Sequence, residues 1–373
     1  MSVEIRPVVS KKDQKEFVNI QFELYKNSTY WVPPIKKDEL SIFEADNPFQ
    51  KFCDTQYWLA YKNGKCVGRI GAIINHKYNE KTEEKNVRFT RLEFADDREV
   101  VQKLLETAEQ WGRDKGMTGI VGPLGFTNLD HQGMMIEGHD YLPSVASEYH
   151  LPYYKEHLEG LGYDKLVDWI EFRLTMDDAV VEKGIKGASL LMRRTKTKII
   201  SFNSSDELVK YADEIFNLLG EAFKDLYSVI TFDHDMVEYY KKKFLKLLSP
   251  KYVKVLVSEE DNEMMGFVIG MPSLSKALQK ANGSIWPFGW WHIMQALKKN
   301  DTCDMLLTAV HPKLQRLGGG VMLVGELQKT MQENGIKYLE TTGMFETNQK
   351  AIQNWKNYDH IQHKRKRCFT KAL

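Results

Sequence analysis

Three consecutive glycines, Gly318, Gly319 and Gly320, constrain this chain more than any other stretch. Before them, residues 305–310 form a largely apolar run of strand length. His311-Pro312 ends that run, because proline donates no N–H and biases its predecessor toward extended backbone. After the glycines, Val321, Leu323, Val324 and Leu327 fall at the spacing of one helical face. The order is strand, glycine corner, helix. At such a corner successive N–H groups point outward, unpaired, at the positive end of the helix dipole. They form a cradle for phosphate oxygens that a side chain would crowd.

Two familiar cradles do not fit. A P-loop needs Lys-Ser/Thr after its last glycine, and here Val321-Met322 follows. A dinucleotide turn needs G-x-G-x-x-G, and counting from Gly318 the last position is Leu323. What remains is Q-x-x-G-x-G, carried by Gln315, Gly318 and Gly320. The helix runs to Asn334-Gly335, residues 336–341 follow as a short strand, and Glu346-Thr347-Asn348 opens a second helix containing Ala351 and Trp355. An extended segment from 361 to 372 closes the chain. This order of elements and motifs resembles the second half of the GNAT N-acyltransferase superfamily.

At 373 residues the chain exceeds one ordinary core, and two domains are expected. A hydrophobic content of 42% is that of a globular protein. No window approaches about eighteen uninterrupted apolar residues, and no signal peptide is visible, so a cytoplasmic protein without membrane contact is expected. Cys53, Cys66, Cys303 and Cys368 lack metal or redox spacing, which favours reduced thiols and no metal. A net charge of +1 offers no global attraction for nucleic acid or an anionic membrane.

The N-terminal half repeats the order of elements. Strand 3–8 and helix 12–26 are followed by a hairpin of 56–61 and 67–74 about Asn63-Gly64. Strand 87–94, helix 98–115, strand 119–121, an irregular stretch 122–152, helix 153–161 and an extended segment 163–174 come next. In the second half, strand 198–202, helix 206–223 and a hairpin of 253–259 and 265–271 take the same places. Gly68 matches Gly266, and Tyr163-Asp164 matches Tyr358-Asp359. The expected fold is therefore α/β with a mixed sheet, in two tandem GNAT-like domains, 1–176 and 198–373, joined by a charged connector 177–197. Ala95-Asp96-Asp97-Arg98 stands where the second half has its glycines, and two carboxylates there would repel a pyrophosphate. Coenzyme binding is expected in the second copy only, the first being degenerate.

The resemblance implies an acyl-coenzyme A-dependent N-acyltransferase, with acetyl-coenzyme A as co-substrate and a small-molecule or protein amine as acceptor, by direct attack in a ternary complex. It implies that the N–H groups of Arg316, Leu317, Gly318, Gly319, Gly320 and Val321 hold the pyrophosphate, with Gln315 opening the loop. Ala309 and Val310 would pair with the pantetheine arm like an added strand, with Asn348 alongside. A base must take a proton from the amine, and Glu340 or Glu346 could serve. Their ordinary readings are a strand surface charge and a helix N-terminal charge. Where the superfamily often has a tyrosine acid, this chain has Trp355.

Two further stretches bear on the acceptor. Trp286, Phe288 and Trp290 lie in residues 284–292, an aromatic stretch inside an insertion of about thirty residues that could line an acceptor pocket or form a lid. The stretch 122–152 holds Asn128, Asp130, His131, Glu137, His139 and Asp140 without ligand spacing, and is expected to be a pocket wall or a solvated loop. The basic run His363-Lys364-Arg365-Lys366-Arg367 is expected on a charged edge strand. Two rival functions remain open, an aminoacyl-tRNA-dependent peptidyltransferase and a coenzyme-binding sensor without catalysis. The oligomeric state is open.

Overall fold

The computed structural model describes residues 2–244 and 248–373. In chain order its strands are β1 (Glu4–Pro7), β2 (Cys53–Lys62), β3 (Lys65–Asn75), β4 (Asn86–Phe94), β5 (Gly119–Gly122), β6 (Met134–Glu137) and β7 (Asp164–Thr175). Then follow β8 (Thr197–Ser201), β9 (Val253–Ser258), β10 (Met264–Pro272), β11 (Thr302–Val310), β12 (Tyr338–Thr341), β13 (Met344–Phe345) and β14 (His360–Ala372). The chain divides into two compact units, Met1–Ile170 with Ser275–His292 and Lys364–Leu373, and Glu171–Leu274 with Ile293–His363.

In the first unit the strand order is β1-β2-β3-β4-β5-β14, antiparallel except for the parallel pair β4–β5. Asn63 and Gly64 both have positive φ, 55° and 75°, so the β2–β3 hairpin closes through the tight turn its sequence demands. Helix Arg98–Asp114 buries Val100, Val101, Leu104, Leu105 and Ala108 in the core of this unit. Each fully buried aliphatic side chain there contributes about 2 kcal/mol. Gly68 permits the approach, since a Cβ there would lie 2.9 Å from both Glu93 O and Leu104 Cδ1.

In the second unit the order is β7-β12-β11-β10-β9-β8, with β11 and β12 parallel. Helix Gly319–Glu333 covers one face: a Cβ at Gly266 would meet Leu323 at 3.0 Å, and one at Gly270 would meet Leu327 at 2.9 Å. Residues 177–197, expected as a connector, are largely the helix Asp178–Thr195, capped by Asp177, whose side chain accepts from Ala179 N–H and Val180 N–H. That helix packs closely on Gly319–Glu333, where a Cβ at Gly325 would sit 2.7 Å from Ala188 Cβ.

The units do not end where the sequence halves end. The last strand of the second half, β14, completes the first sheet beside β5, with Phe369 opposite Gly122 and Ala372 opposite Gly119. The last residues of the first half, on β7, pair with β12, Arg173 opposite Glu340. The basic run is accordingly no edge. β14 pairs with β5 and β6, Lys364 and Lys366 are buried, and they donate to Leu142 O and Ser147 Oγ, both at 3.0 Å. On the other face Arg365 and Arg367 both bind the buried Asp168. Strand alternation separates the two lysines from the two arginines, and the partners of both pairs come from distant sequence.

The stretch 122–152 is ordered rather than a solvated loop. His131 pairs with Glu148 at 2.8 Å, His150 Nδ1 accepts from Met135 N–H, and Asn75 donates to Phe126 O. Among the described residues no group of three or more His, Cys, Asp or Glu is arranged to hold a metal ion.

Candidate active site

β11 pairs with β12 only from Thr302 to Met305, opposite Tyr338 to Thr341. Thr342 closes the ladder, its N–H bonding Met305 O at 3.3 Å and its Oγ1 bonding Leu306 O at 3.0 Å. Beyond that point β11 continues to Val310 against β10 alone, with Phe267 opposite Ala309 and Gly266 opposite Val310. A register shift between Ile269 and Gly270 marks where the strand bends away. Among the described residues the other edge of 307–310 has no ladder partner, and so can pair with an extended chain of amides.

The strand end feeds the glycine corner. His311 N–H bonds Met265 O at 2.9 Å, helix Pro312–Gln315 makes one turn, and Gly318 sits at φ 89°, a left-handed conformation that favours glycine. The first helical bond of Gly319–Glu333 is Met322 N–H to Gly318 O, 3.0 Å. The N–H groups of Gly319, Gly320 and Val321 precede it, at the positive end of a 15-residue helix. A Cβ at Gly319 would overlap Val310 Cγ1, whereas one at Gly320 meets nothing within 4 Å. Packing explains the first glycine and open space surrounds the second, as an incoming phosphate requires. Arg316 and Leu317 are exposed beside it. Gln315, exposed as well, donates from its Nε2 to Val310 O at 3.1 Å and so clamps the strand end. These residues fit a coenzyme A pyrophosphate.

The corresponding corner of the first unit is filled by the protein itself. Asp97 caps Glu99 N–H, and Lys62 reaches Asp97 at 2.6 Å and Glu99 at 3.0 Å.

The face of the sheet away from helix Gly319–Glu333 carries charge. Cys303 Sγ lies beneath that helix, 3.2 Å from where a Gly270 Cβ would be, so its neighbour Asp304 leaves the strand on the opposite face. Asp304 is 1% exposed and stands opposite Glu340 on β12. Glu340 is also buried, which corrects its ordinary reading as a surface charge. His363 Nε2 lies 2.5 Å from Glu340 Oε2, and Arg173 Nε 3.6 Å from Oε1. His363 Nδ1 faces Glu171 O at 3.1 Å. With an acceptor before each ring nitrogen, His363 and Glu340 hold a proton between them. The sequence reading started the strand at Met305 and so missed Asp304; a lone acid inside an apolar strand run was the available signal.

Glu346 lies in the turn after β13, not on a helix. The helix starts later, at Gln349–Ile352, with Asn348 as its cap accepting Ala351 N–H at 3.2 Å. Trp355 is buried and its Nε1 has no hydrogen-bond partner among the described residues. Tyr358 donates to Gln328 Oε1 at 3.2 Å, so its hydroxyl serves packing. Trp286, Phe288 and Trp290 belong to the first unit and are 76%, 72% and 47% exposed, turned to solvent rather than lining an enclosed pocket.

The sequence profile of the Acetyltransferase (GNAT) family matches residues 212–358, which span the open edge, the glycine corner and both carboxylates. Residues 212–358 carry a GNAT acetyltransferase domain. A tandem GNAT protein from the clavulanic acid biosynthesis pathway superposes with a TM-score of 0.58 at 12% identity, covering 100% of this chain and 98% of that one. A GCN5-related N-acetyltransferase from Sphaerobacter thermophilus gives 0.53 at 9% identity, covering 99% and 95%. The fold is thus that of a tandem GNAT protein, as the mixed sheet and repeated element order implied. Among curated proteins, Protein YghO of Escherichia coli is 27% identical over 99% of this chain and 95% of its own length. The bacterial ceramide synthase of Caulobacter vibrioides is 24% identical over 98% and 97%.

Proposed function

We propose that this GNAT protein transfers an acyl group from acyl-coenzyme A to the nitrogen of an amine acceptor. The observation that carries the reading is the open edge of β11 running into a glycine corner with unpaired N–H groups. The N–H groups of Gly319, Gly320 and Val321 hold the pyrophosphate with Arg316 beside them, and residues 307–310 bind the pantetheine amides. Asp304 takes the proton that the amine loses as its nitrogen bonds to the thioester carbon; the C–S bond then breaks with its electron pair on sulfur, and coenzyme A leaves as a thiolate that takes a proton from solvent. Glu340 and His363 position Asp304 and fix the charge around it.

Acetyl is the acyl group that the family resemblance favours. A second reading has a specific support: ceramide is an amide of a fatty acid with a long-chain amino alcohol, and the relative bearing that name aligns along 98% of this chain. It predicts a longer acyl-coenzyme A and an amphipathic amine. Assays with acetyl-, hexanoyl- and palmitoyl-coenzyme A against small amines, peptides and long-chain amino alcohols, reading free thiol, decide between them. Coenzyme binding without thiol release on any acceptor would leave the sensor reading instead, and salt-sensitive retention of tRNA would favour the peptidyltransferase.

A further inference from the structure

Residues 264–300 contain Lys276, Lys280, Lys298 and Lys299 and no aspartate or glutamate. Inside this acid-free stretch, helix Ser275–Ala281 leads into a turn before helix Gly289–Lys298. The turn is ordered. Ser284 N–H bonds Ala281 O at 3.0 Å, Ser284 Oγ bonds Trp286 O at 2.6 Å, and Trp290 N–H bonds Ile285 O at 2.8 Å. It is also tied to the body of its unit. Lys36 N–H donates to Gly283 O at 3.0 Å, Gln279 Nε2 to Thr29 O and Trp31 O, and Ser275 Oγ to Pro143 O at 2.6 Å.

From this fixed base large apolar side chains project outward: Trp286, Phe288, Trp291, Trp290 and Ile285, the first two about three-quarters exposed. A turn with its backbone bonds made and its rings outside marks a surface for a less polar medium. On the same unit lies a hollow of about 520 Å³, lined by Thr29, Tyr30, Leu142, Lys276, Gln279 and Lys280. Lys276 and Lys280 are four residues apart on one helix, hence on one face.

We propose that this segment docks the protein on an anionic phospholipid bilayer, with Trp286, Phe288 and Trp290 at the headgroup boundary and Lys276 and Lys280 against lipid phosphates. Tryptophan prefers that boundary, and lysines beside inserted rings gain from an anionic surface. A second copy of the chain is a poorer occupant, because a two-fold interface would set the lysines of this acid-free stretch against their own copies. No helix among the described residues is long and apolar enough to cross a membrane, so the attachment is peripheral. The near-zero global charge, from which no membrane contact was expected, conceals this local asymmetry.

The test is sedimentation of the full chain with vesicles of phosphatidylcholine alone or mixed with phosphatidylglycerol. The protein should bind the mixed vesicles, more weakly at high salt. The variant Trp286→Ser/Phe288→Ser/Trp290→Ser should lose binding about tenfold or more on both lipids, and Lys276→Glu/Lys280→Glu should lose only the part that depends on phosphatidylglycerol. All five positions are on the surface, and unchanged thermal midpoints confirm that the variants fold. No binding by the unaltered protein, or equal binding by both variants, overturns the proposal. So does a concentration-dependent dimer that the triple variant abolishes, or binding to polyglutamate in place of vesicles.

Discussion

Val310 and Gly319 touch: a Cβ at position 319 would overlap Val310 Cγ1, so the end of β11 and the start of the following helix fit together only through glycine. Gly320, one residue on, faces open space. The two glycines should therefore separate stability from binding. Gly319→Ala should destabilise the protein by about 2 kcal/mol through overpacking. Gly320→Ala should be neutral or stabilising by up to about 0.5 kcal/mol, as alanine suits a helix better, yet weaken acyl-coenzyme A binding. Urea unfolding and calorimetric titration of the two variants check this, and a stability loss at Gly320 would count against a ligand-facing role.

Asp304→Asn should lower kcat by about two to four orders of magnitude with little change in KM, as expected for loss of a general base. Glu340→Gln should reduce kcat less, because Glu340 is already engaged by His363 and Arg173 and acts through its neighbour. Glu346→Gln, in the turn after β13, should leave kcat near the unaltered value. Steady-state kinetics with thermal midpoints for all three decide; full activity in Asp304→Asn with loss in Glu340→Gln would move the base to Glu340.

The glycine corner and the Asn63-Gly64 hairpin were legible because each rests on a local backbone requirement that one stretch of sequence displays, whereas Gly68 and Gly266 showed only as matching positions of the two halves and their close approaches come from helices distant in sequence. What was not legible depends on pairing across great separations. Nothing near residues 363–367 announces that Lys364 and Lys366 reach Leu142 and Ser147, and nothing near Glu340 announces His363. Asp304 lay between these cases. Its burial follows from an apolar strand, but its place opposite Glu340 is set by the parallel register with β12. The rings at 285–291 could be read as a pocket lining or a lid, and their exposure was not legible because an aromatic cluster in sequence does not show which side of its turn meets solvent.

Glu93 gives the first unit a pH signature. Burial pushes its carboxyl up to about 7, against Arg69 and the hydroxyls of Tyr25 and Tyr154, which bond it at 2.6 and 2.7 Å. Between pH 4.5 and about 7 the folded protein holds a proton that the unfolded chain has released, so stability falls as pH rises through that window, on the order of 3 kcal/mol. His150, which burial pushes down to about 4, slopes the opposite way below pH 6.5. Glu148 and His131 stand near it and are common to both proteins. The difference between Glu93→Gln and the unaltered protein isolates the effect: the variant should gain relative stability toward pH 8, where glutamine still accepts both tyrosine hydroxyls. Denaturant midpoints at pH 5 and pH 8 measure it.

Asp168 anchors the strand that the first unit takes from the end of the chain. Burial alone would raise its carboxyl, but hydrogen bonds from Arg367 and Arg365 hold it below its ordinary value. Arg367 meets both of its oxygens, at 2.8 and 3.1 Å, and Arg365 adds a third bond at 3.0 Å. A depressed carboxylate contributes stability that is present above its unfolded pKa and is lost as pH falls through the folded one, so the anchor holds at neutral pH and fails only in acid. Asp168→Asn should cost about 3 kcal/mol at pH 7, because both partly buried guanidinium groups lose their buried counter-charge and keep only the more exposed Glu137 and Glu159. Truncation before β14 should be worse, since it also removes Phe369 from the core and leaves β5 without its antiparallel neighbour. Hydrogen exchange distinguishes anchor from core: in Asp168→Asn protection should fall first along residues 364–372 and 119–122, with the β2–β3 hairpin retained until global unfolding. Uniform loss across the unit would show that the strand is bound by its apolar residues alone.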